Sequence, residues 1–228
     1  MLFRSYDGPR LVSVCPPETL TQCHTYTYNQ AETLSLHPTA VLDAAPRTYL
    51  RLGSSTGVVP NAAIDSLHLV AGEPSDVGTG PGPFPGSTAA TFNGSSSYVK
   101  VTGDEHVAMA RHEQTVSLWF KTPVGSTTGG VLIAAQETTI DVTPDRFIPI
   151  LYVGTDGRIH GKFYTGDNNA LTGPVVNDGE WHHVVLTATH SEQVLYVDGQ
   201  EEDSTNLDQA SHGGHLGHVY IGSGRWSA

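Results

Sequence analysis

The chain has 228 residues, among them 25 glycines and 14 prolines, and only 15% are charged, a profile that calls for frequent turns and disfavours helix bundles and coiled coils. Its formal net charge of −12 argues against a surface that grips nucleic acid or anionic membrane through phosphate contacts, and no basic run offsets it. No stretch approaches the roughly 20 apolar residues of a membrane-spanning helix, so membrane insertion is not expected.

The opening residues Met1–Asp7 turn polar too early for the apolar core of a secretory signal. Either the protein is cytoplasmic or this sequence is one part of a longer natural chain, and we expect the second. Residues 1–30 hold two short β-like runs, Leu11–Val14 and His24–Tyr28, on either side of Pro16-Pro17, and read as a hairpin. Cys15 and Cys23 flank seven residues that include this Pro-Pro step, a spacing that suits a hairpin disulfide. Two free thiols in a reducing compartment are the alternative, and two cysteines without a nearby second pair make no tetrahedral zinc site.

Residues 31–87 mix short apolar pieces (Ala40–Leu42, Tyr49–Leu52, Leu67–Val70) with Gly/Pro/Ser turns and end in Gly78–Gly86, which reads as loop. From residue 88 onward the pattern is regular. Ala89–Phe92, Tyr98–Thr102, Thr115–Thr122, Gly130–Gln136, Ile148–Val153, Arg158–Tyr164, His182–Thr189, Gln193–Val197 and His218–Ile221 all read as strands, with Asp104–Arg111 as a short helix. Asp156-Gly157, Asp178-Gly179 and Asp198-Gly199 supply the positive-φ positions that tight turns need. In Thr115–Thr122, Val116, Leu118 and Phe120 alternate with Ser117, Trp119 and Lys121, as in a sheet with one face on a core. Many short strands at this spacing predict an all-β sandwich or jelly roll, because a strand-only chain must bury one sheet face against another.

Phe92–Val99, Val116–Lys121, Asp178–Thr187 and Leu195–Gly199, in that order, resemble the concanavalin A-like, laminin-G-type domain of bacterial extracellular proteins. The resemblance covers about residues 40–228. It implies an antiparallel sandwich whose first strand runs from Val41-Leu42-Asp43 toward Tyr49–Gly53, with Leu50 where the family more often has Trp. It also implies a closing strand after Val219–Gly222, which this sequence does not supply; an open sheet edge would follow. In Trp181-His182-His183 it implies a structural step, with Trp181 packing and one imidazole capping sheet-edge backbone groups. Tyr6–Val14 with Thr25–Tyr28 looks like the tail of a YD (RHS-type) repeat, a unit that stacks in secreted bacterial shells. The expected layout is a repeat-like hairpin at 1–30, a lead-in at 31–87 and the sandwich body at 88–228.

Gly53-Ser54-Ser55-Thr56-Gly57 matches a nucleophile-elbow pattern but lacks the strand before it and the helix after it, and reads as loop. A glucanase needs two carboxylates held about 5 Å apart. Glu201, Glu202 and Asp203 follow a turn, lack a third acid in register and read as a solvated hairpin end. His212, His215 and His218 are spaced by three, yet glycines intervene and the segment leads into a strand, so a polar loop is the expectation. Calcium is the metal best suited to an acidic, oxygen-rich sandwich, with Asp104, Asp141 and Asp145 as candidate ligands, or Asp167 with Asn168 and Asn169. A sugar site needs exposed aromatic faces and planar polar side chains. Trp119, Tyr152, Tyr164 and Trp226 are the aromatic candidates, and Tyr164 with Asp167, Asn168 and Asn169 is the best patch, with Trp226 beside it in the candidate set.

The expectation is a non-catalytic recognition or adhesion module of a large extracellular or cell-surface protein, binding carbohydrate or protein. A purely architectural insert without a ligand is the alternative, and a glucanase-like hydrolase the third.

Overall fold

The computed structural model describes residues 3–7, 10–15, 24–25, 33–63, 71–102, 113–163, 169–206 and 216–226, with side chains from residue 37 onward. Near the N-terminus β1 (Phe3–Asp7), β2 (Arg10–Cys15) and β3 (His24–Thr25) form a three-stranded antiparallel sheet, in which Ser13 faces Thr25 and Val14 faces His24. Cys15 ends β2, and Cys23 lies outside the described residues.

Helix α1 (Thr33–Asp43) follows, with Pro38 inside it. Val41-Leu42-Asp43 therefore closes a helix and does not open a strand, and the expected first strand shrinks to one bridge, Leu50 with Asn61. The Asn61 side chain organises that corner: its Oδ1 accepts from the Tyr49 and Ala63 N–H groups, and its Nδ2 donates to the Arg47 carbonyl.

Two sheets make the body. The larger draws on β4 (Val59–Pro60), β5 (Ala71–Ser75), β8 (Tyr98–Thr102), β10 (Gly130–Gln136), β11 (Phe147–Val153), β12 (Arg158–Gly161), β13 (Leu171–Val175) and β17 (His218–Ile221). They run in the order β13-β12-β11-β10-β17-β8-β5-β4. The smaller orders β16 (Gln200–Thr205), β15 (Gln193–Val197), β14 (Trp181–Ala188) and β9 (Gln114–Lys121). A separate ribbon pairs β6 (Gly78–Pro81) with β7 (Thr88–Thr91). That ribbon corrects the loop expected at Gly78–Gly86: its glycines leave room beside Thr91, and a two-stranded ribbon outside the main sheets needs no apolar alternation.

The sandwich core is filled by Ile148, Ile150, Leu151 and Ile159 from one sheet and Val184, Leu186, Leu195 and Val197 from the other, each 2% exposed or less. Burial of each such side chain contributes about 1.5–3 kcal/mol relative to exposure. The alternation read in β9 holds, with Phe120 buried in the core, Val116 and Leu118 packed against it, and Ser117 and Lys121 exposed.

β1, β4, β5, β13 and β16 were likewise not anticipated as strands from sequence; β13 and β16 lie at sheet edges. β13 carries Gly173 and Pro174, which an edge strand tolerates because one side of its backbone needs no partner. β16 carries Glu201, Glu202 and Asp203, charges that discourage further pairing at an edge. These two edges are stitched together, since the Thr172 N–H donates to Asp203 Oδ2 at 2.9 Å. Inside the sandwich, the fully buried Gln193 of β15 reaches the segment after β12: its Oε1 accepts from the Phe163 N–H at 2.8 Å and its Nε2 donates to the Phe163 carbonyl at 3.1 Å.

The Phe92–Val99 motif also has a physical role. Asn93 Oδ1 accepts the N–H groups of Ser95, Ser96 and Ser97, while Asn93 Nδ2 donates to Asp76 Oδ2 at 2.7 Å. One side chain thus folds the Ser-rich loop and ties it to the end of β5.

Candidate functional site

On the outer face of the larger sheet, Tyr152 stands between the core residues Leu151 and Val153 and so turns away from the core. Register sets His160 opposite Tyr152, and Thr172 opposite His160, so three side chains from β11, β12 and β13 form one cross-strand row. The Tyr152 and His160 rings stack with centroids 5.1 Å apart and planes 16° from parallel. Asp156, from the hairpin turn between their strands, accepts with Oδ1 from the Arg158 N–H at 3.0 Å and from His160 Nε2 at 3.2 Å. That assigns the neutral imidazole proton to Nε2, leaving Nδ1 to accept from the Thr172 hydroxyl at 3.2 Å.

The third ring arrives from far along the chain. After β17 the backbone passes over the outer face, with the Gly222 N–H donating to the Leu132 carbonyl at 2.9 Å and the Arg225 N–H to Gln136 Oε1 at 3.4 Å. Gly224, at φ +150°, lies so close to Ala134 that a Cβ there would collide with the alanine methyl. Gly129 is the matching gap, because a Cβ on it would sit 2.6 Å from Trp226 Cη2. Trp226 thereby comes to rest with its ring centroid 5.6 Å from that of Tyr152, at 52°.

The result is an angled aromatic surface, Trp226 and Tyr152, flanked by His160, Asp156 and Thr172. Burial and then the Asp156 charge push the Tyr152 hydroxyl pKa up. Desolvation opposes ionisation of Asp156, but the Arg158 N–H and His160 together outweigh it and hold its pKa below the ordinary value.

The remaining sequence candidates lie elsewhere or outside the described residues. Tyr164, Asp167 and Asn168 lie outside the described residues, and Asn169 is exposed ahead of β13. Asp104 likewise lies outside them, while Asp141 and Asp145 are both exposed on the loop joining β10 to β11. In that loop Glu137 Oε1 is already engaged by the N–H groups of Asp145 and Arg146. Among the described residues no three His, Cys, Asp or Glu side chains stand together as a metal site. His212, His215 and the segment Asp104–Arg111 up to His112 fall outside the described residues, and the described His218 stacks beside Tyr220.

Trp119 does leave the core but is covered. It stacks on His183 at 5.0 Å, meets Phe84 edge-on at 5.2 Å, and Phe84 in turn lies 4.5 Å from His37 of α1. His183 Nε2 is also 2.8 Å from Ser117 Oγ.

The Trp181-His182-His183 step divides its histidines between two jobs. His182 places Nδ1 2.8 Å from Asp198 Oδ2 and Nε2 3.2 Å from Asp178 Oδ1, a geometry that an imidazolium with two N–H donors satisfies. Desolvation alone would lower the His182 pKa, but the bonds and charges of Asp198 and Asp178 outweigh it and raise the value. Asp198 also caps backbone here, its Oδ1 accepting from the His183 N–H at 2.8 Å. Asp203, the glucanase candidate, spends its carboxylate on the Thr172 and Ser204 N–H groups.

Comparison with known proteins places this geometry in context. The binding domain of Paraclostridial Mosquitocidal Protein 1 superposes with a TM-score of 0.52 at 13% identity, over 78% of this chain and 47% of that one. The binding domain of botulinum neurotoxin serotype D gives 0.51 at 11% identity, over 82% and 46%. These similarities establish the fold, and the chain spans about half the length of those domains. A 65-residue stretch, 28% of this chain, is 35% identical to fructan beta-fructosidase of Streptococcus mutans, but covers only 4% of that enzyme. Residues 93–228, more than half of the chain, match the Laminin_G_3 family, and with the antiparallel sandwich described above they make this chain a member of that family within the concanavalin A-like lectin/glucanases superfamily.

Proposed function

We propose that the chain is a non-catalytic recognition module that binds saccharide on the Tyr152–Trp226 surface. The observation that carries this reading is the convergence of Trp226, from the C-terminal strap, with Tyr152 and His160 on the sheet, beside the carboxylate of Asp156. Aromatic rings stack on the C–H faces of sugars, and a few fixed polar groups orient the hydroxyls. Support comes also from the kind of relative found: two of the similar solved structures are themselves binding domains. The stretch shared with a fructosidase covers a small fraction of that enzyme, as an accessory module would.

In this reading the module belongs to a longer polypeptide at the cell surface or outside the cell. Calcium would be held by Asp104, Asp141 and Asp145, or by Asp167 with Asn168 and Asn169; a rise in unfolding temperature in millimolar calcium that Asp141→Ala abolishes would assign it to the first set. The test of the main reading is calorimetric titration of the full chain with neutral and charged oligosaccharides, beside Trp226→Ala. Saturable binding weakened at least about tenfold by that change is expected. Absence of any saturable saccharide would favour the architectural alternative, which the packing of α1 on the smaller sheet through His37, Phe84 and Trp119 supports.

A further inference from the structure

We propose that the Tyr152–Trp226 surface selects saccharides carrying protonated amino groups over neutral or anionic counterparts, an inference that rests on the reading of this surface as a saccharide platform. Aromatic faces are negative, and a cation within about 6 Å of a ring centroid is attracted to them. Two such rings meet here at 52° with centroids 5.6 Å apart, so an ammonium group placed in the angle faces both.

A carboxylate stands beside them with one oxygen uncommitted. Both bonds to Asp156 end on Oδ1, and among the described residues Oδ2 has no hydrogen-bond partner, while the side chain is 50% exposed. The Asp156 carboxyl stays ionised across the neutral range, and its charge is felt at the Tyr152 hydroxyl.

Two arginines lie near enough to oppose this, together with Lys162, two residues beyond His160 on the same face, and with His160 itself wherever it is protonated. Arg158 shares the outer face, but its Nη1 donates to the Gly173 carbonyl of β13 at 3.0 Å, which draws the guanidinium toward the sheet edge and away from β11 and Trp226. Arg225 precedes Trp226 and is exposed, so its charge is screened by solvent. The chain as a whole carries −12, a field that raises the local concentration of cationic ligands and repels uronates and sulfated sugars.

The decisive comparison uses tetramers of one sugar, glucosamine against N-acetylglucosamine, in which the C2 nitrogen is a charged amine in the first and an uncharged amide in the second; a galacturonate tetramer, with carboxylates at C6, is the anionic arm. Binding to the full chain is measured by titration calorimetry at pH 6.0 in low salt, with wild type, Asp156→Asn and Trp226→Ala, each checked for an unchanged unfolding transition. The glucosamine tetramer is expected to bind about five- to tenfold tighter than its acetylated partner. Asp156→Asn should erase most of that ratio, Trp226→Ala should weaken both, and the galacturonate arm should bind weakest. Equal affinity for the acetylated and free-amine oligomers, with Trp226→Ala lowering both, would overturn the charge selection and leave the platform standing. Galacturonate binding as tight as glucosamine would overturn it too. No binding by any arm, or binding indifferent to Trp226→Ala, would remove the platform itself and this inference with it.

Discussion

Gln193 ties the smaller sheet to the segment after β12, and its replacement gives a measurable outcome. It sits fully buried on the inner face of β15, where hydrophobic side chains otherwise fill the sandwich, and it hydrogen-bonds both backbone groups of the buried Phe163. Gln193→Leu keeps a similar volume and removes both partners at once. The Phe163 N–H and carbonyl then remain buried without water, at about 1–3 kcal/mol for each unsatisfied group. The expected loss is about 2–5 kcal/mol, since the gain from a more apolar side chain offsets part of the penalty. In a chain of this size each kcal/mol lowers the unfolding temperature by about 2–4 °C, so a drop of roughly 5–15 °C should appear by calorimetry. Urea unfolding should show the same loss as a lower midpoint. Gln193→Glu should behave differently, keeping the acceptor for the Phe163 N–H while presenting a carboxylate to the carbonyl, so its penalty should grow as pH rises above the carboxylate range. A Gln193→Leu protein within about 1 kcal/mol of wild type would refute the reasoning, because it would mean that Phe163 finds other partners or reaches solvent.

The His182 clamp sets a pH window. The His182 pKa is raised in the fold, so its contribution is complete below about 6.5 and is lost as pH climbs through the raised value; the Asp178 pKa is lowered, chiefly by the Glu180 N–H and then by His182, so its contribution is complete above about 3.8 and is lost as pH falls through the lowered value. Unfolding temperature against pH should therefore plateau between these limits, and His182→Gln should flatten the decline on the alkaline side; an unaltered slope would dismiss the clamp. Asp203→Ala should cost about 0.5–1.5 kcal/mol by releasing the Thr172 N–H, with saccharide affinity unchanged, and an effect on affinity would contradict its purely structural placement. Gly224→Val should lift the C-terminal strap off Ala134 and shift the fluorescence of Trp226 toward that of an exposed indole, read against Trp226→Phe to isolate its signal; an unshifted spectrum would show that the strap does not set the ring.

How far the sequence reveals this molecule depends on where side chains alternate and where they do not. β9, β10, β14, β15 and β17 are legible because each carries an inward row of apolar residues bounded by turn residues. The edge strands β13 and β16 carry Gly173, Pro174 and a run of acids, a composition that argues against strands everywhere except at an edge, and being at an edge is a property of the finished sheet. The helix α1 contains Pro38, which by local rules reads as an interruption.

The site divides along the same line. Tyr152 and Trp226 could be named as aromatic candidates, but the ring stacked on Tyr152, His160, was missed although a signal existed: Tyr152 and His160 lie four residues on either side of Asp156, so a tight hairpin at Asp156-Gly157 sets them opposite one another. No such local arithmetic reaches Trp226. Its position comes from Gly129 and Gly224, two gaps separated by most of the sandwich in sequence, each admitting a close approach that any Cβ would block. Half of the surface is thus held by the ladder of β11 and β12, and half by a strap that two hydrogen bonds and the close approaches at Gly129 and Gly224 hold in place. A binding surface built this way keeps its polar row fixed while the angle of one ring depends on the strap. Changes at Gly129 or Gly224 should therefore alter ligand affinity at positions that never touch the ligand.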